Sequence, residues 1–407
     1  MGVYLDAVPT SGIIRIRDMM FAVKDPFRLD QGDVSFDAPL SVKAGMTRAI
    51  AENRTHYVQT TGLPRLQELI AAKLRLRNGV PVGSPAEVLV TSGGVHALYL
   101  VFQALLEPGD EVIIPDPQWP QTAGTIIAAH GVPVRCPLHE SLGWRPEVAE
   151  IAGRITPRTR AIYLNSPHNP TGGVLARADV ERIAGLARER GLWLVSDEAY
   201  EDVVFEGEHV SPASLPGMYE RTVPVYTFSK TYAMTGLRLG YAAVARADLR
   251  ERMVKILALT ASNVCSVVQH GGIAGLEGPQ DVVEEYRREL VARRDLFYSG
   301  ISALNGVFSG QPPRGAFYAF LKIDPEWKAR ATRLNDRPAA EARGSGNAGS
   351  SSWELTAYLI TQGRVGSIPG ADFGPGGEGY LRFCFARDRT ELAGALASMQ
   401  RLFALPV

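Results

Sequence analysis

The sequence predicts an α/β protein built on a mostly parallel sheet, with a smaller α+β domain after it. Three observations carry that prediction. Between about residues 44 and 290, short apolar runs alternate with stretches of helical period, the pattern of strands linked by helices that cover both faces of a sheet. After residue 290 the period changes: residues 315–320 and 380–385 alternate as antiparallel strands do. Finally, 407 residues are enough for two domains.

The elements follow in order. The first strand is expected at 87–91, and a helix follows it. In that helix Val95, Leu98, Tyr99, Phe102, Leu105 and Leu106 fall at i, i+3, i+4, i+7 spacing. Further strands are expected at 111–114, 161–164 and 192–196. Before the last of these, Val180, Ile183, Ala184 and Ala187 form a second helical stripe, which Gly191 closes after a charged turn. A fifth strand is expected at 223–228. Residues 329–352 are rich in Arg, Ala, Gly and Ser and read as a mobile loop, with the tail, 344–352, as its most polar part at the surface. No internal repeat is evident.

Composition narrows the function classes. The 43 basic and 43 acidic side chains cancel, which gives no electrostatic case for nucleic acid or an anionic membrane. No window is apolar enough to span a bilayer, and residues 1–10 do not resemble a signal peptide. Cys136, Cys265 and Cys384 are scattered without metal-type spacing, so no metal site is expected and a reducing compartment is. The expectation is a soluble cytoplasmic protein.

The chemistry concentrates just past the predicted strands, where parallel sheets collect ligands. Lys230 follows the run 223–228, and Arg238 comes eight positions later. A buried lysine is costly unless neutral or covalently engaged, and a desolvated amine is a good imine-forming nucleophile. Arginine offers a fork for phosphate. An imine-forming lysine and a phosphate-binding arginine together suggest pyridoxal 5′-phosphate (PLP), an aldehyde that carries a phosphate.

Other segments join this pair. Ser92, Gly93 and Gly94 open the helix after the first strand and can offer backbone amides to an anion, although such turns are most often only turns. With Thr227 or Ser229 and Arg238 they make a phosphate cup. Asp197 ends a buried strand, where a carboxylate needs a cation; a pyridinium nitrogen would serve, and an N-cap is the bland alternative. Asn169 lies in the turn Asn165-Ser166-Pro167-His168-Asn169-Pro170-Thr171-Gly172 and can present an amide to a phenolate; His168 reads as a surface or packing residue rather than a base. Trp119 is either a plate over a flat ring or ordinary packing. Arg382 sits between apolar neighbours and wants either a substrate carboxylate or a structural salt bridge. Tyr57, before a turn, would alone be dismissed.

Taken together, these motifs resemble the class I aminotransferases, the fold-type I PLP enzymes of the aspartate aminotransferase superfamily. The likeness runs from the segment around Gly32 to Arg382, with the Asn-Pro-Thr-Gly, Asp-x-x-Tyr and lysine motifs in the family's order. It implies a three-layer α/β/α domain around a mostly parallel seven-stranded sheet, residues 44–293. A small domain would occupy 294–407, and 1–43 would form an N-terminal arm and part of that small domain. It implies that Lys230 holds PLP as a Schiff base and later moves the proton. Asp197 would pair with the ring nitrogen, Asn169 and Tyr200 with the ring hydroxyl oxygen, and Trp119 would stack on the ring. Ser92, Gly93, Gly94, Thr227, Ser229 and Arg238 would take the phosphate, with Tyr57 from a neighbouring subunit of a homodimer. Arg382 would bind the substrate α-carboxylate, assisted by Asn165 and the Gly32 backbone. The implied reaction transfers an amino group from an L-amino acid to a 2-oxo acid, usually 2-oxoglutarate, in a ping-pong cycle. β-Elimination, cyclisation or oxidation on the same frame are the rivals, separated by product. Departures are Thr227 in place of Ser or Gly, Cys384 in place of a common Ser, an apparently longer 329–352 segment, and Val95-His96 where some aspartate-type members carry a basic residue. The last weakens an aspartate-selective reading.

Overall fold

The computed structural model describes residues 6, 8, 12–304, 306–334 and 350–404, with backbone only at 330–334. Its larger sheet contains β1 (Val88–Thr91), β2 (Glu111–Asp116), β3 (Val132–Pro137), β4 (Thr159–Asn165), β5 (Trp193–Asp197), β6 (Thr222–Thr227) and β7 (Gly240–Ala243). Their spatial order is β1-β7-β6-β5-β4-β2-β3. Strands β3, β2, β4, β5 and β6 pair in parallel, and β7 runs against both β6 and β1.

Side chains of these strands serve two covered faces, which is why the strands read as apolar runs rather than alternating ones. Val112, Ile114, Ala161 and Tyr163 pack with Leu98 and Phe102 of helix Gly94–Leu105. Their neighbours Ile113, Ile162 and Leu164 face the opposite way, onto Val180, Ile183 and Ala187 of helix Arg177–Glu189. Gly191, at φ +67°, lets the chain turn from that helix into β5.

The smaller sheet is antiparallel, in the order β10-β11-β9-β8, from β8 (Phe308–Ser309), β9 (Tyr318–Ile323), β10 (Ile368–Pro369) and β11 (Tyr380–Cys384). Helices Asp281–Ser302, Ser351–Gly363 and Arg389–Ala404 bury their apolar faces against it. The N-terminal helix Gly12–Phe21 packs Ile16 and Met20 on Phe320, Ile360, Ile368 and Phe373.

The expected strands are present, with ends shifted by one or two residues in the large sheet and by three at 315–320, which is found as Tyr318–Ile323. The fifth stops at Thr227, and Phe228 opens a short helix, Phe228–Thr231, that carries Lys230. Strands β3 and β7 were not expected from the sequence. The expected mobile loop at 329–352 is corrected at both ends. Helix Pro325–Leu334 covers its start. Ser350, Ser351 and Ser352 all donate hydroxyls to Glu378, at 2.6–2.7 Å, at the entry to the next helix. Residues 335–349 lie outside the described residues.

Candidate active site

The C-terminal ends of β4, β5 and β6 place Asn165, Asp197 and Thr227 around one cavity of about 270 Å³. Gly32, Gly94, Trp119, Asn169, Tyr200, Ser229, Lys230, Arg238 and Arg382 also line it. The structure thus brings most of the expected residues together around one cavity. Ser92 and Gly93 adjoin Gly94 without lining the cavity themselves, and the Ser92 N–H donates to His96 Nδ1 at 3.2 Å. Tyr57 is 90% exposed and lies away from the cavity within the single chain.

One end of the cavity is an anion cup. Thr227 Oγ1 accepts from the Ser229 N–H at 3.1 Å, capping the short lysine helix, and lies 2.8 Å from Ser229 Oγ. Arg238 donates from Nη1 to Thr235 O at 2.7 Å and has no carboxylate partner among the described residues. Gly93 turns the chain at φ +81°, where other residues are strained, and brings its backbone against the Arg238 guanidinium.

At the centre, the Lys230 amine donates to Gly32 O at 2.6 Å. Burial lowers its pKa to about 8; Asp33 opposes the shift, and Arg238 and Arg382 add to it. Asp197 is buried, and burial pushes its carboxyl up to about 6 despite hydrogen bonds from Tyr163 Oη at 2.9 Å and the Ala199 N–H at 3.2 Å. It has no ion pair among the described residues, so a cationic ligand group would relieve the cost of its charge.

At the far end Arg382 is 2% exposed. It donates from Nη1 to Asn169 Oδ1 at 3.1 Å and from Nη2 to Asp30 O at 2.8 Å, while its buried Nε has no partner. The structural salt bridge considered above is absent among the described residues. Arg382 is a buried cation without a counter-anion, stacked 4.4 Å from the Tyr318 ring. Asn165 is more committed than expected: Nδ2 donates to Asp197 O at 3.0 Å, and Oδ1 accepts the Asn169 N–H at 2.9 Å.

The turn that bears Asp197 and Tyr200 is tied down from behind. Glu198 accepts from Ser211 Oγ at 2.7 Å and lies 2.8 Å from His209 Nε2. Lys73 and Asn78 both donate to Glu201. Asp202 accepts from Thr231 Oγ1 at 2.8 Å, which links the turn to the residue after Lys230.

Of the two readings of His168, the packing one holds. It is buried rather than at the surface, 2.7 Å from Thr171 Oγ1 and 2.9 Å from Gln118 Oε1, and burial lowers its pKa to about 3. It packs as a neutral residue. Sequence reasoning missed Tyr163, Gln121, Ile13 and Tyr318 as cavity residues or their partners. Tyr318 lay in a recognised alternating run, but period alone does not distinguish a site tyrosine from a core one.

The arrangement can receive a dianion at one end, a cationic ring atom at Asp197, an electrophilic carbon at Lys230 and a carboxylate at Arg382. Among the described residues no group of three or more His, Cys, Asp or Glu could hold a metal ion, and no helix is long and apolar enough to cross a membrane.

Comparison with known proteins agrees with this chemistry. The family model described as "Aminotransferase class I and II" matches residues 24–399. An aspartate aminotransferase of Pyrococcus abyssi is 35% identical over 98% of this chain and 97% of its own length. An aromatic-amino-acid aminotransferase of Thermococcus litoralis is 33% identical over the same shares. The solved aspartate aminotransferase of Thermus thermophilus with maleate superposes with a TM-score of 0.87 at 31% identity, covering 99% of both chains.

Proposed function

The chain belongs to the class I and II aminotransferases, and from that membership we propose that it moves an amino group from an L-amino acid to a 2-oxo acid with PLP held at Lys230. The observation that carries the proposal is Arg382. A buried guanidinium without a counter-anion, in one cavity with an amine whose pKa burial lowers to about 8, calls for a ligand bearing both a carboxylate and an amino group.

The residues fit PLP on their own chemistry. Gly94, Thr227, Ser229 and Arg238 suit its phosphate, with the backbone of Ser92 and Gly93 beside them. Asp197, raised by burial and without a cation, suits the ring nitrogen. Asn169 Nδ2, free because Oδ1 faces Arg382, and Tyr200 suit the ring hydroxyl, and Trp119 suits a ring face. When bound, PLP supplies an aldehyde carbon for amine exchange and a protonated ring that accepts an electron pair.

The protein's part is binding and proton movement. Arg382 fixes the substrate α-carboxylate. Lys230 Nζ would hold the cofactor's aldehyde carbon and, when free, would take the substrate Cα proton and give it back; a pKa near 8 suits both tasks. Asp197 keeps the ring nitrogen protonated.

A ping-pong cycle with 2-oxoglutarate as acceptor, a cytoplasmic setting and a homodimer complete this reading. Exposed Tyr57 would be the second subunit's contribution to the phosphate. Residues 44–293 would form the cofactor domain, 294–407 the small domain, and 1–43 the arm.

The deciding experiment is an absorbance spectrum of PLP-loaded protein before and after each of a panel of amino acids. Conversion to the pyridoxamine form with one equivalent of 2-oxo acid supports the proposal. Ammonia release without amino transfer would replace it with elimination or oxidation.

A further inference from the structure

Three ends of the cavity have assigned tasks: the phosphate cup, the ring with Lys230, and Arg382. Of the remaining lining residues, Ile13 and Gln121 share one place. Ile13 packs in the cluster that contains Phe373, whose ring lies 5.1 Å from the Arg382 guanidinium. Gln118, three residues before Gln121, donates its N–H to Phe373 O at 2.8 Å. Both elements thus meet the segment around Phe373 and line the same cavity as Arg382, which would anchor a substrate by its carboxylate.

Gln121 is distinctive there. It opens helix Pro120–Ala128, its Oε1 is buried, and that atom has no hydrogen-bond partner; its Nε2 makes no hydrogen bond among the described residues either. The residue is half-buried, but a buried amide oxygen left unpaired is costly, so Oε1 is suited to a donor from the ligand. The cations lining the cavity, among the described residues, are Lys230, Arg238 and Arg382, each committed elsewhere. The surrounding Ile13 and Trp119 are largely apolar.

Resting on the aminotransferase reading, we propose that Gln121 reads the substrate side chain, selecting amino and 2-oxo acids whose side chain ends in a hydrogen-bonding group. A carboxamide both donates and accepts. By turning about its last bond it serves a carboxylate in one half-reaction and a neutral amide or hydroxyl in the other. One pocket thereby admits two different co-substrates without a dedicated side-chain cation.

The test uses PLP-loaded protein at pH 8 and equilibrium binding of acids that lack an amino group, so it does not depend on turnover. Glutarate, glutaramate and hexanoate all offer Arg382 a carboxylate and differ at the tip. Wild-type protein is expected to bind glutarate and glutaramate about tenfold more tightly than hexanoate. Gln121→Leu should bring all three within about twofold. Gln121→Glu should keep glutaramate binding but weaken glutarate at least tenfold, because like charges meet. Equal binding of the three acids by wild type, or a polar preference that survives in Gln121→Leu, overturns the proposal. Each variant's PLP absorbance checks its fold. Failure of amino transfer in the spectral panel would instead remove the aminotransferase reading, whatever the binding ratios.

Discussion

Tyr200 and Tyr318 meet hydroxyl to hydroxyl at 2.7 Å. The first follows β5 of the large sheet and the second opens β9 of the small one, so the bond joins the two sheets across the cavity. Burial holds both phenols above their ordinary value, and each keeps its proton at neutral pH. Tyr318→Phe leaves the Tyr200 hydroxyl short of a partner. It should destabilise the protein by about 1–3 kcal/mol and lower kcat/KM about tenfold. Chemical denaturation and steady-state kinetics on one preparation check this; unchanged values would mean the bond carries no weight.

Lys230→Met should abolish the lysine-linked PLP band and cut turnover by about 10²–10⁴-fold or more. The same change should stabilise the cofactor-free protein. The folded amine has a pKa of about 8 against an ordinary value of 10.5, so the fold disfavours its charge. That penalty is full below pH 8, falls between pH 8 and 10.5, and is gone above. The variant's advantage, up to about 3 kcal/mol at pH 7, should therefore shrink as pH rises. Melting curves of stripped protein across that range measure it.

Asp197→Asn shows the opposite pH trend. The folded carboxyl titrates at about 6 against 3.8, so its charge is disfavoured above pH 6 and the penalty vanishes below 3.8. The cofactor-free variant should exceed wild type by up to about 3 kcal/mol above pH 6 and converge with it as pH falls to 4. With PLP bound, Asp197 would keep the ring nitrogen protonated, which an amide would not; kcat of the variant should fall about 10²–10³-fold. A variant with no stability gain at pH 7 would refute the burial argument.

Arg382→Lys keeps the charge and loses the fork. It should lower kcat/KM for amino acids about 10–100-fold, chiefly through KM. Amines without a carboxylate should lose much less, so the ratio between the two substrate types is the informative measurement. Equal losses would place Arg382 in the structure rather than on the substrate.

The residues that do chemistry were legible because their types are anomalous where they stand: a lysine, an aspartate and an arginine beside or within apolar runs each need a partner. The strands with continuous apolar runs were legible for the same local reason. Strand β7 was not, because Gly240–Ala243 is four residues long and mostly small; its place comes from pairing with β1 and β6. Ser350–Ser352 read as loop because serines are locally neutral, and it is Glu378, distant in sequence, that gathers them. Gln121 was invisible for a similar reason: a glutamine near a helix start is unremarkable until the backbone brings it beside Phe373 and Arg382.

Ile13 and Gln121 sit on two helices, whereas Asn165, Asp197, Thr227 and Arg382 sit on strands. The residues proposed to read the substrate side chain therefore stand on other elements than these four groups, and Lys230 has a short helix of its own, Phe228–Thr231. A substitution on a strand perturbs pairing with neighbours on both sides, but one at a helix terminus perturbs little beyond its own turn. Over evolutionary time such a division lets a lineage retarget the same reaction to a new side chain through a few replacements on those helices, leaving the strand-borne groups untouched.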